Sequence, residues 1–145
     1  MNPPMTYSKS GVDLTARFEG CKLVAYRDQV GRWTCGYGHT YGVIEGMTCT
    51  QDQAIKWLLE DTAAAQLDVN THVTVPISQP IFDSLCDFAF NLGRGNLNNS
   101  TLLKDLNAGN YAAAANEFDK WDRAGGQVVA GLLRRREAEK QEFLS

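Results

Sequence analysis

The sequence lacks a surplus of basic charge. Fourteen Lys and Arg face 17 Asp and Glu, a formal net charge of −3. The overall basic footprint of a nucleic-acid binder is therefore absent. It also lacks long apolar runs. No window approaches the roughly 18 consecutive apolar residues that a membrane span needs, so no stable membrane insertion is expected. The opening residues, MNPPMTYSKSGVDLTARFEG, hold no basic stretch leading into an apolar core of about 7–15 residues, so no export leader is read there. By these signals the protein is expected to stay in the cytoplasm. Histidine is scarce. With only His39 and His72, a histidine-based metal site is improbable. The four cysteines, Cys21, Cys35, Cys49 and Cys86, match no paired zinc spacing. In a reducing compartment they are expected to be free, mostly buried thiols that act as small hydrophobes.

What is present describes an ordinary globular chain. It has 145 residues, 43% hydrophobic and 21% charged. Surface scaling lets a chain of this size bury about two-thirds of its unfolded surface, enough for a core without metals or disulfides. Charge is uneven. Residues 51–100 hold six acidic and two basic residues, whereas the ends are near balance. The one basic run, Arg134-Arg135-Arg136, is followed by Glu137 and Glu139. It reads as a solvated face of a terminal helix with internal ion pairs, rather than a contact for anionic substrate groups.

Periodicity divides the chain. A first helix starts at a Ser8 or Ser10 cap and ends at Gly20. Val12, Ala16 and Glu19 share one of its faces, which places a carboxyl at the end of a mostly apolar stripe. Residues 22–27 and 33–37 read as two strands around a turn containing Gly31, with Trp33, Cys35 and Tyr37 on one face and Thr34 on the other. Thr50 and Gln53 form a capping box opening a long helix to about Val69, with Ala54, Trp57, Leu58, Asp61 and Ala65 as its stripe. Residues 71–79 read as a loop. Ser78 caps the next helix, with Pro80 in its first turn and Gly93 as its stop. Residues 91–99 read as a Gly/Asn-rich loop and residues 100–107 as a short helix. Another helix is faced by Tyr111, Ala114, Ala115 and Phe118 and broken by Gly125-Gly126. A last helix spans residues 128–143, with Leu132, Leu133 and Phe143 as expected core.

The chemistry-bearing stretch runs from Phe18-Glu19-Gly20 through Ala25-Tyr26-Arg27-Asp28 to Trp33-Thr34-Cys35-Gly36-Tyr37-Gly38-His39. A helix followed by a hairpin can turn the carboxyls of Glu19 and Asp28 and the hydroxyl of Thr34 toward one place. Two carboxyls in different environments suit acid–base chemistry on a glycosidic bond. One keeps its proton for the leaving oxygen. The other, ionised, serves water or the oxocarbenium-like transition state. Read alone, the blander readings prevail: Glu19 is a helix-end residue, Asp28 a turn former and Thr34 a β former.

The pattern Glu-x8-Asp-x5-Thr, set among these aromatics and glycines, resembles the catalytic segment of the phage-type lysozymes, the endolysins of tailed bacteriophages. The later stretch FDSLCDFAFNLGRGNLNNSTLLKDLNAGNYAAAANEF, with GLLRRREAE near the end, resembles the lambdoid branch of that family. The resemblance implies an α+β, lysozyme-like, mainly helical fold over residues 1–145. A small β-sheet lobe at about 12–50 and a helical lobe at about 71–145 would be joined by a long helix at about 50–70. It implies a glycoside hydrolase, a muramidase cutting the β-1,4 bond between N-acetylmuramic acid and N-acetylglucosamine in peptidoglycan for host lysis, with inversion. By position, Glu19 is the general acid, Asp28 the carboxylate serving water and Thr34 the hydroxyl that holds this water. Phe90, Asn91 and either Ser100 or Thr101 match sugar-groove positions. His39 becomes structural, hydrogen-bonded or paired with an acid. No metal or organic cofactor is implied, and the chain is expected to be a monomer.

Two other classes stay open at this stage. A lytic transglycosylase needs only one acid and leaves an anhydro sugar, so Asp28 and Thr34 argue for hydrolysis. A non-catalytic glycan-binding scaffold would not need all three residues. Some lambdoid relatives carry a signal-anchor with cysteine-controlled activation. Neither is carried over, although Cys21 stands two residues after Glu19, where oxidation could affect activity. The substrate lies outside the inner membrane and the chain shows no leader, so the resemblance implies release from the host cytoplasm through a separate holin.

Overall fold

The fold is described from a computed structural model, which covers residues 2–145. It is α+β and mainly helical, with two small antiparallel hairpins. The described chain divides into two compact units, one made of residues 15–63 and the other of residues 2–14 with 64–145.

Within residues 15–63, helix α1 (Lys9–Glu19) delivers its last turn. Gly20 follows with φ +68°, the left-handed conformation that ends a helix. Strand β1 (Lys22–Arg27) and strand β2 (Trp33–Gly36) pair antiparallel, with Tyr26 opposite Thr34 and a register shift between Lys22 and Tyr26. Residues 47–49 flank β1. Ala25 N–H donates to Met47 O at 2.8 Å and Cys49 N–H to Leu23 O at 2.9 Å. Thr50 then caps helix α2 (Gln51–His72), accepting from Gln53 N–H at 3.1 Å. The helix outruns the expected Val69 and shortens the loop behind it. Ala54 and Leu58 are fully buried. Gly36 makes that packing possible, because a Cβ there would stand 3.1 Å from Ala54 Cβ.

Thr34 and Cys35 are both buried, and Tyr37 lies beyond the end of β2. Opposite faces of this strand are therefore both covered.

The larger unit has one apolar core. Helix α3 (Gln79–Leu92) begins at Ser78, whose hydroxyl accepts from Ile81 N–H at 3.3 Å, and contributes Phe82, Leu85, Cys86, Phe88 and Ala89. Residues 91–99 are not a plain loop, because helix α4 (Arg94–Asn98) forms there and buries Leu97. Asn side chains bind carbonyls four residues back at Leu92 and Gly95 and so satisfy groups that a loop would leave to water. Helices α5 (Thr101–Asn107) and α6 (Tyr111–Glu117) follow, then a 3₁₀ turn at Phe118–Lys120.

Gly125-Gly126 does more than break a helix. Both have positive φ and turn a hairpin of strands β3 (Arg123–Ala124) and β4 (Gln127–Val128). Helix α7 (Ala130–Leu144) closes the chain against α3. Phe88 meets Phe118 and Trp121 edge-to-face at 5.7 and 5.4 Å, and Phe118 meets Phe143 at 5.6 Å. Such pairs add about 0.5–1.5 kcal/mol each beyond the area they bury. Leu132 and Leu133, expected as core, are only half-buried.

The arginine run is the largest departure. Arg134 is exposed, but Arg135 is 5% and Arg136 0% exposed, so this is no solvated face. Arg135 makes a bidentate pair with Asp87, through Nε to Oδ2 at 2.9 Å and Nη2 to Oδ1 at 2.8 Å. Arg136 donates through Nη2 to Glu139 Oε2 at 2.9 Å and to Asn91 Oδ1 at 2.8 Å. Its guanidinium also lies over the Phe88 ring at 5.3 Å. Glu139 was legible as an internal partner. Asp87, 48 residues away, was not.

Candidate active site

Glu19, Asp28 and Thr34 all lie in the smaller unit, whereas Phe90, Asn91 and Ser100 lie in the larger one. Two of the three small-unit residues, Asp28 and Thr34, are joined through Arg32.

Arg32 fastens Asp28 to Thr34. Its carbonyl accepts from Asp28 N–H at 2.9 Å and from Thr34 Oγ1 at 3.0 Å. In return, its N–H donates to Asp28 Oδ1 at 2.8 Å and its Nε to Oδ2 at 3.1 Å. Val30 N–H adds a bond to Oδ1 at 3.0 Å. Asp28 thus closes its own turn, with Gly31 at φ +86° as the hinge. These donors, Arg32 N–H first, hold the Asp28 carboxyl below the usual aspartate range and keep it an anion. The Thr34 hydroxyl is buried and spends its proton on the Arg32 carbonyl. It is left to accept a hydrogen bond, as from a water.

Tyr26 feels the charge of both carboxyls. Burial pushes its phenol up from the ordinary value, and the charges of Asp28 and Glu19 push it further.

Glu19, half-buried at the end of α1, sits over Gly38. A Cβ on Gly38, whose φ is +75°, would stand 3.1 Å from Glu19 Oε1. The turn that carries Gly38 is closed by reciprocal bonds between Cys35 and His39, at 2.9 and 3.0 Å. His39 is then fixed from the side. Its Nδ1 lies 2.8 Å from Asp61 Oδ2, and its ring stacks on Trp57 at 4.3 Å. A carboxylate only accepts, so Nδ1 carries the hydrogen. His39 is a buried structural residue paired with an acid.

In the larger unit, Phe90 packs partly against the core. The Asn91 carbonyl oxygen is taken by Arg136. Ser100 is buried, and its hydroxyl is committed twice. It donates to Leu97 O at 2.6 Å and accepts from Leu103 N–H at 3.1 Å as the N-cap of α5. Its neighbour Thr101 is exposed and lines a cavity of about 270 Å³ with Glu117, Lys120 and Trp121. Among the described residues no cluster of three metal-ligating side chains occurs, and no helix is long and apolar enough to cross a membrane.

Comparison with known proteins defines the class. A sequence model of the family Phage lysozyme matches residues 16–139. The chain belongs to the phage lysozyme family. It is 43% identical to an endolysin of Acyrthosiphon pisum secondary endosymbiont phage 1, over 97% of this chain and 99% of that one. A crystal structure of P22 lysozyme superposes with a TM-score of 0.91 at 38% identity, covering 97% of this chain and 99% of that one. The muramidase domain of SpmX from Asticaccaulis excentricus superposes at 0.88, also at 38% identity, covering 97% and 98%. A further endolysin, from Bacillus phage B103, is 41% identical, and this chain spans 55% of its length. These relatives identify the activity as that of a lysozyme, a glycoside hydrolase acting as an endolysin muramidase.

Proposed function

We propose that Glu19, Asp28 and Thr34 carry the hydrolysis of the β-1,4 bond between N-acetylmuramic acid and N-acetylglucosamine. Glu19 gives its proton to the glycosidic oxygen as the bond to the anomeric carbon breaks. A water seated on the Thr34 hydroxyl and the Asp28 carboxylate attacks that carbon from the other side, and Asp28 orients it. The anomeric configuration inverts. The observation carrying this reading is the fastening of Asp28. A carboxylate gripped by three donors of its own turn is a poor covalent nucleophile but a fixed acceptor for water. Exposed Thr101, with Phe90 and Asn91, is proposed to contact the glycan. Ser100, spent on its cap, is not.

Proton NMR of the first products distinguishes the mechanisms. A β-linked glycan should yield the α-anomer initially. A first-formed β-anomer would contradict inversion, and an anhydro sugar would point to a transglycosylase.

The proposed setting is the host cytoplasm during synthesis and the cell wall during action, with a holin opening the way and a monomer as the working form. Expressed alone, the chain should leave cells intact, and co-expressed with a holin it should lyse them. Lysis without a holin would remove that requirement.

A further inference from the structure

Positive charge gathers on the hairpin of β1 and β2. Residues 20–44 hold Lys22, Arg27 and Arg32 against the single acid Asp28, in a chain of net charge −3. All three cations are exposed, and each is steadied by a neighbour. Lys22 Nζ lies over the Tyr26 ring, 4.5 Å from its centroid, and Arg27 over Trp33 at 4.9 Å. Arg32 rests its Nε on Asp28 Oδ2 at 3.1 Å, with its side chain 66% exposed. Among the described residues its Nη1 and Nη2 have no hydrogen-bond partner. One edge of the guanidinium is spent on Asp28, and the two terminal nitrogens form an open fork of the shape that a carboxylate fills.

The strand register sorts these cations. Tyr26 stands opposite Thr34, and Arg27 opposite Trp33. Adjacent pairs of a hairpin project to opposite faces, so Tyr26 and Thr34 share one face and Arg27 and Trp33 the other. Lys22 sits on the Tyr26 ring, and Arg32 is bonded to Asp28 and Thr34. These two cations therefore belong with Asp28 and Thr34, and Arg27 does not.

We infer that Lys22 and Arg32 bind the free carboxylates of the peptide stem borne by the N-acetylmuramic acid under attack, with Arg32 as the principal contact. The inference rests on the roles proposed above for Asp28 and Thr34. The anomeric carbon of the cut bond belongs to N-acetylmuramic acid, and the stem hangs from O3 of that sugar, two ring carbons away. A water held by Asp28 and Thr34 lies against the anomeric carbon, so a fork anchored on Asp28 Oδ2 stands beside the same sugar. N-acetylglucosamine offers no charge there. An acidic chain as a whole gains nothing from an anionic wall, and a local pair of cations supplies the attraction that net charge does not. Because the fork is solvated, its effect is modest, about fivefold in substrate preference.

The test compares native peptidoglycan with peptidoglycan whose free carboxyls have been converted to amides by a carbodiimide and ammonia. The ratio of kcat/KM on the two forms cancels any effect common to both. The wild type should prefer the native form about fivefold, mainly through KM. Arg32→Gln should bring that preference close to one, whatever the lost bond to Asp28 does to both rates. Lys22→Gln should lower it about twofold. Arg27→Gln removes the same charge from the other face and should keep the wild-type preference. Circular dichroism confirms that each variant is folded. Three results would each overturn the inference: no preference in the wild type, an Arg32→Gln that slows both forms by one factor, or an Arg27→Gln that loses the preference as Arg32→Gln does. Asp28→Asn tests the underlying reading separately. It should be nearly inactive on both forms, and an active Asp28→Asn would remove the catalytic assignment while the preference is read independently.

Discussion

Replacing Asp87 by Asn should destabilise the larger unit far more than its near-identical shape suggests. Asp87 is wholly buried and Arg135 nearly so, and two bonds of 2.8 and 2.9 Å join them. An amide at that position retains one acceptor but turns an N–H₂ toward the guanidinium. Arg135 keeps its charge and loses the neutralising partner in a buried site. Breaking one side of a buried pair in this way costs about 3–5 kcal/mol, against about 0–1 for a solvated pair. In a chain of this length each kcal/mol moves Tm by roughly 3–4 °C, so the expected fall is about 10–18 °C. Circular dichroism at 222 nm reads it directly. The double substitution Asp87→Leu with Arg135→Met should recover most of the loss, because the interior then holds no unpaired charge. A fall under about 3 °C would refute the reasoning, since the pair would then behave as a surface bridge.

Gly38→Ala should cut kcat about tenfold with KM little changed, because the new Cβ presses on the Glu19 carboxyl and the left-handed φ is strained. Initial rates of turbidity loss on permeabilised cells would show it, and an unchanged kcat would separate Gly38 from Glu19. Burial, with Asp87 beside it, pushes the Glu139 carboxyl well above the ordinary range despite Arg136. The folded state therefore holds a proton that the unfolded chain has released above about pH 4.3. Stability should fall as pH rises from there to the native pKa, and Glu139→Gln should flatten that slope in urea titrations. A slope of opposite sign would mean that Arg136 wins. Ser100→Ala should cost about 1 kcal/mol by loss of the cap and leave the lytic rate of the folded enzyme unchanged. A selective loss of activity would return Ser100 to the glycan.

The legible parts of the fold were those governed by neighbours in sequence. Ser8 accepts from Gly11 N–H, Thr50 from Gln53 and Ser78 from Ile81, each a cap visible in the residue pattern. Glu19, Asp28 and Thr34 could be nominated from their spacing. What stayed hidden depends on distant partners. Nothing near Arg135 names Asp87, so a basic run looked solvated. Helix α4 escaped because its asparagines and glycines favour loops, and only the burial of Leu97 and backbite bonds to Leu92 and Gly95 overrule that preference. The β3–β4 hairpin has two residues on each side, too few for any periodicity. The 3.4 Å meeting of Cys35 and Cys49 required the fold itself, because spacing alone excluded only a zinc site.

The most direct test of the account is the product analysis of purified peptidoglycan treated with the wild type and with Glu19→Gln, read by mass spectrometry beside a circular dichroism check of folding. The wild type should release muropeptides ending in a reducing N-acetylmuramic acid with one water added. A folded Glu19→Gln should release them at least about a hundredfold more slowly, the loss expected when a general acid is removed. Anhydro products from the wild type, or a near-normal rate from the variant, would contradict it.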